Sequence, residues 1–135
     1  MFQFLRLFFA TALVFLFFDL IWLTFISKRM YQNFISHLLG DTRLAPAVIF
    51  YLLYTLGMVV FILLPSIEKQ SAGYLLFAAA LFGLICYATY DLTNLATLKG
   101  WPVGMTLIDL AWGVFVTTLT AIIVYFFNLI ILSGG

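Results

Sequence analysis

Four long apolar stretches dominate this chain and dictate what it can fold into. They cover roughly residues 4–27, 46–64, 72–98 and 103–132. Crossing ~30 Å of hydrocarbon takes about 20 residues at ~1.5 Å rise each, so each stretch is of spanning length. Short polar breaks separate the last three. Ser66-Ile67-Glu68-Lys69-Gln70-Ser71 separates the second from the third, and Lys99-Gly100-Trp101-Pro102 separates the third from the fourth. The sequence is 66% hydrophobic and 8% charged, where a soluble domain is about half apolar and a quarter charged. So few charges cannot cover a water-facing surface. All four stretches should be helices, because an open strand edge stays unpaired in lipid. The fold expected is therefore all-α: a polytopic membrane protein with four transmembrane helices in a bundle. Its 135 residues make one integral membrane domain, residues 1–135, with no room for a separate soluble one. The first stretch could be mistaken for a cleaved signal peptide, since Ala10-Thr11-Ala12 resembles a cleavage site. That triplet sits in mid-run with too little apolar chain before it, which favours a retained anchor.

The connection between the first two stretches is the only long one. Within residues 28–40, Met30, Tyr31, Phe34, Ile35, Leu38 and Leu39 recur at helical spacing, opposite Lys28, Arg29, Gln32, Asn33, Ser36 and His37. That pattern predicts an amphipathic helix at the membrane interface, stopped by Gly40. A single long helix from Phe4 to Leu39 fits the same pattern. Nothing near His37 completes a metal site, so it is read as a solvated histidine on the polar face. Cys86, the sole cysteine, excludes an intrachain disulfide. The formal net charge of +1 gives no footprint for nucleic acid.

The halves of the chain resemble each other. Phe18-Asp19-Leu20-Ile21-Trp22-Leu23 matches Tyr90-Asp91-Leu92-Thr93-Asn94-Leu95, and a lysine follows each, Lys28 and Lys99. Pro46 precedes Gly57 by eleven positions, as Pro102 precedes Gly113. The match suggests a duplicated two-helix hairpin with both copies running in the same sense. Chance similarity between apolar segments is the alternative.

The chemistry lies in three intramembrane carboxylates, Asp19, Asp91 and Asp109. An aspartate at a helix centre costs ~2.5–3.5 kcal/mol on insertion scales, so such residues are rare without a reason. Let side B be the face bearing the long connection and the turn at Lys99, and side A the other. Asp19 lies nine residues before Lys28, Asp91 eight before Lys99, and Asp109 seven after Pro102. Helical rise then puts all three ~10–14 Å inside side B. Tyr87, Asp91 and Asn94 share one face of the third helix. Thr106 and Trp112 flank Asp109 at three positions either side, Trp22 follows Asp19 by three, and Tyr51 and Tyr54 reach a comparable depth. Tyrosine and tryptophan carry hydrogen-bond donors on apolar bodies and can satisfy a carboxylate in a dry bundle. These ten residues form the candidate substrate- or ion-binding site. The plain structural alternative is that each acid is a protonated linker between helices. No cation lies inside the spans near these acids. Lys28, Arg29, Arg43 and Lys99 sit on side B and Arg6 and Lys69 on side A, so the positive-inside rule puts both termini outside by four to two.

The run from Tyr87 to Lys99, with Trp101-Pro102, Asp109-Leu110-Ala111-Trp112-Gly113 and Asp19 to Trp22, resembles a bacterial domain-of-unknown-function family of small predicted membrane proteins. The resemblance extends over nearly the whole chain and implies four spans in a bacterial inner membrane. It implies no activity, substrate or cofactor. Catalytic residues, metal and cofactor stay unassigned, and enzymatic activity is left open. No Ser/His/Asp set, phosphate loop or zinc motif is present. Three functions fit the residues. The first is binding or transport of a small molecule, cation or proton, with the aspartates as ligands or proton carriers. The second is a membrane-embedded enzyme acting on a lipid or prenyl substrate. The third is a structural or accessory subunit. Four spans leave little room for an aqueous path, so transport would call for a homo-oligomer. The expected partners are otherwise the bilayer and a small ligand, cation or lipid.

Overall fold

The computed structural model describes residues 2–27 and 44–134, and the amphipathic helix expected over residues 28–40 lies outside the described residues. Span 1 is α1, Phe2–Ile21, continued by a π-helical segment, Trp22–Ser27. Span 2 is α2, Leu44–Met58, then a π-helical segment, Val59–Leu63, then α3, Leu64–Lys69. Spans 3 and 4 are α4, Ala72–Thr97, and α5, Val103–Gly134. Among the described residues, four helices are long and apolar enough to cross a membrane. Their outer faces present large apolar side chains, as in the row Phe9, Leu13 and Phe17 on span 1, which are 61%, 68% and 60% exposed. Contiguous apolar surface of that extent suits lipid and would aggregate in water.

Span 2 differs from the expectation at its end. The sequence reading stops the helix at Leu64 because Pro65 lacks an N–H and its ring crowds the carbonyl four residues back. The chain instead continues helically to Lys69. The preceding π-helical turn absorbs the misfit, with Leu64 N–H donating to Val59 O. The Phe61 carbonyl, four residues before the proline, accepts from the Tyr74 hydroxyl at 3.2 Å, and the Ser66 hydroxyl donates to Ile62 O. The side A turn is therefore tighter than Ser66 to Ser71. Gln70 takes the left-handed conformation (φ 52°), and Ser71 caps span 3 by accepting from Tyr74 N–H at 3.0 Å. At side B, Gly100 (φ 81°) supplies the reversal that a side chain would resist.

Spans 3 and 4 make the most extensive packing, span 1 packs on span 4, and span 2 packs on span 1. Gly83 and Gly113 allow the close approach of spans 3 and 4. A Cβ at Gly83 would strike the Gly113 carbonyl and lie 2.7 Å from Thr117 Oγ1. A Cβ at Gly113 would enter the Tyr87 ring. Ala79 and Gly83, four apart on one face of span 3, are both buried and serve packing inside the bundle. The core is built on Phe15, Tyr54, Met58, Ile62, Leu75 and Val116. A smaller cluster at the side B end holds Trp22, Trp101 and Met105, with Leu95 and Trp112 against it.

Candidate intramembrane binding site

All three aspartates turn inward. Asp19, Asp91 and Asp109 are 6%, 1% and 5% exposed. Asp19 lies on the buried stripe of span 1 with Leu7, Thr11 and Phe15, residues four apart that fall on one helical face. The Tyr51 hydroxyl on span 2 donates to Asp19 Oδ2. The carboxyls of Asp91 and Asp109 lie within hydrogen-bond reach of one another, joining spans 3 and 4. A hydrogen bond between two carboxyl groups requires a proton on one of them. Asp109 is also close enough to Asp19 for their charges to interact.

A cavity of about 490 Å³ opens beside these groups. Every span contributes to its wall: Asp19, Trp22 and Leu23 from span 1; Pro46, Ala47 and Phe50 from span 2; Cys86, Tyr87 and Tyr90 from span 3; Asp109 and Trp112 from span 4. Its volume falls within the ~300–1,000 Å³ typical of small-molecule sites. The Trp22 and Trp112 rings stack across spans 1 and 4, centroids 4.5 Å apart and planes within 7°. Apart from two carboxylates, the tyrosines and the thiol, the wall is apolar and aromatic, and no lysine or arginine among the described residues lines it.

The ten sequence-selected residues divide accordingly. Asp19, Trp22, Tyr87, Asp109 and Trp112 line the cavity. Tyr51 and Asp91 stand behind it, each joined to a lining acid. Tyr54 lies farther into the bundle, hydrogen-bonded to Thr117 of span 4. Thr106 and Asn94 do not line it. Thr106 returns its hydroxyl to Pro102 O at 2.9 Å, and Asn94 sits within hydrogen-bond reach of Tyr90 on its own helix. Sequence reasoning missed Leu23, Pro46, Ala47, Phe50, Cys86 and Tyr90 in the wall. Ala47, Phe50 and Tyr54 share one helical face, as do Cys86, Tyr87 and Tyr90, but in helices apolar on every face that spacing does not mark a cavity wall.

Residues 4–126 match the family described as "Predicted membrane protein (DUF2177)". The chain belongs to that family. No curated protein and no solved structure matches it. The family's description agrees with the four spans and assigns no chemistry to the acids. Among the described residues no three of His, Cys, Asp and Glu are grouped to hold a metal ion.

Proposed function

We propose that this protein, resident in the bacterial inner membrane, binds a small cationic molecule within the bilayer and acts in its transport. One observation carries the reading: a cavity walled by all four spans presents Asp19 and Asp109 to its interior, with no lysine or arginine among the described residues on its lining. Carboxylates in an apolar wall need a partner, because an unpaired buried charge is costly. The aromatic faces of Trp22, Tyr87 and Trp112 add favourable quadrupoles for a cation. The lining acids occupy sites where function, more than packing, explains an aspartate in lipid. The charge bias between connections would place the cavity in the cytoplasmic leaflet. Carriage across the whole bilayer would require pairing with a second copy, since the cavity lies in one leaflet.

The test is titration of the purified protein with organic ammonium and phosphonium ions, read by tryptophan fluorescence, since Trp22 and Trp112 border the cavity. Saturable binding should weaken at least ~10-fold in Asp19→Asn and Asp109→Asn, about the loss of one charge-assisted contact. It should also weaken on acidification, because a cation needs the ionised carboxylate and protons compete for it. Failure of every cation to bind, or full binding by both variants, would overturn the reading.

A further inference from the structure

We propose that the ligand reaches this cavity sideways from the lipid, between spans 2 and 3, and is a membrane-dissolved organic cation with an apolar body. The inference rests on the binding function proposed above and adds the route and the ligand class. Three features support it.

The first is a gap between helices. Span 2 meets span 3 mainly through Val59–Leu63 and Leu64–Lys69, whereas Leu44–Met58 packs chiefly on span 1. The two spans close at Phe82, whose ring lies 5.6 Å from Tyr54 and 6.5 Å from Phe61. Gly57 lies under the same ring, its missing Cβ leaving the room that Phe82 occupies. From Tyr54 toward side B the helices part, and the cavity fills the gap.

The second is what borders the gap. Phe50 on span 2 is 44% exposed and Tyr90 on span 3 is 53% exposed, yet both also line the cavity. In a transmembrane helix an exposed side chain faces lipid, so these rings belong to the cavity wall and the bilayer-facing surface together. The third is closure elsewhere. Trp22, Trp101 and Met105 are buried together at the side B end of spans 1, 3 and 4, packed by Leu95 and Trp112. They obstruct a direct aqueous path down to Asp109 between those spans.

A hydrated ion would shed its water along an apolar wall before meeting Asp19 or Asp109. A cation already partitioned into lipid has given up most of that hydration and brings apolar surface to bury against Phe50, Leu23 and Tyr90.

The experiment uses the full chain in nanodiscs, titrated with tetraphenylphosphonium, tetramethylammonium and sodium, for wild type, Ala47→Trp, Phe50→Trp and Leu53→Trp. Tetraphenylphosphonium should bind at least ~100-fold more tightly than tetramethylammonium, given the apolar area it buries. Association should slow at least ~10-fold in Ala47→Trp and in Phe50→Trp, which narrow the gap. Leu53, 63% exposed on the same helix, does not line the cavity, so Leu53→Trp should bind normally. Phe50→Trp replaces one exposed aromatic by another and keeps the test valid should Ala47→Trp fail to fold. Tighter binding of tetramethylammonium or sodium, with the Asp19→Asn sensitivity retained, would overturn the lateral route and leave the pocket standing. Unchanged association in both folded gap variants would overturn it too. Loss of all cation binding would instead condemn the functional reading beneath it.

Discussion

Substituting Gly83 by alanine replaces a hydrogen by a methyl group at the close crossing of spans 3 and 4. The new Cβ would strike the Gly113 carbonyl and would stand 2.7 Å from Thr117 Oγ1 and 2.9 Å from Thr117 Cβ. Ordinary contact begins near 3.4 Å, so spans 3 and 4 would have to part by about 0.7 Å or more. Neither obstacle yields cheaply. The carbonyl is helix backbone, and Thr117 is fixed by its hydrogen bond to Tyr54. Overpacking of this kind typically costs ~1–3 kcal/mol, set against up to ~1 kcal/mol of helix propensity gained over glycine. A net loss of ~1–2 kcal/mol is expected, or roughly 5- to 30-fold in the folded ratio. Gly104→Ala is the control, because nothing lies within 4 Å of a Cβ there. It should hold or gain stability. Equilibrium unfolding in mixed detergent micelles measures both variants. Equal stability of Gly83→Ala and Gly104→Ala would refute the close crossing, and with it the route by which Asp91 and Asp109 meet. The perturbation should also widen the cavity and weaken cation binding, since Asp109 and Tyr87 sit on the separated helices.

Two further outcomes follow from the same geometry. Reporters fused at the N- and C-termini should lie on one side of the membrane, with insertions at Gln70 on that side and at Gly100 opposite; reporters at opposite faces would refute four spans. Tyr51→Phe should lower stability by ~1–3 kcal/mol in detergent unfolding, because the buried Asp19 carboxyl loses its donor; a stability equal to wild type would mean that the hydroxyl is not engaged.

How much the sequence disclosed depended on how far a residue stood out from its background. A carboxylate in an apolar run is conspicuous, and counting residues from the lysines and Pro102 put all three acids at one depth. The inward turn of Asp19, Asp91 and Asp109 follows from the expense of presenting them to lipid. Phe50, Cys86 and Leu23 were invisible for the opposite reason. These helices are apolar on every face, so periodicity does not distinguish a cavity wall from a lipid contact. Thr106 and Asn94 stand outside the cavity wall, because polarity in a helix is not the same as availability. A threonine hydroxyl in a helix can satisfy itself on the carbonyl four residues back, as Thr89 and Thr97 also do on their lipid-facing sides. Pro65 misled in another way. Its missing donor is a reliable break in water, but here Tyr74 reaches across from span 3 to the Phe61 carbonyl, four residues before the proline.

The arrangement of the acids bears on why there are three. A carboxylate has about four lone-pair sites, and one donor leaves most of them unfilled. Asp19 receives Tyr51 from behind and Asp91 approaches Asp109 from behind, while both lining acids keep a side open to the cavity. Tyr51 and Asp91 thus hold the two lining carboxyls in place without occupying the cavity. Were the acids only linkers between helices, Asp91 with Asp109 would suffice for spans 3 and 4, and Tyr51 with Asp19 for spans 1 and 2. No packing need would then set Asp19 and Asp109 on a common wall beside stacked tryptophans. A cation placed between them would complete both coordination shells and let the Asp91–Asp109 proton leave. Binding at this site would in that case release protons, and the ratio of protons freed to cations bound, measured by titration in weakly buffered solution, should exceed zero in wild type. It should fall in Asp91→Asn, whose amide donates to Asp109 without a titrating proton, leaving only release from the lining acids. Proton release undiminished by Asp91→Asn would refute the shared proton between these two acids.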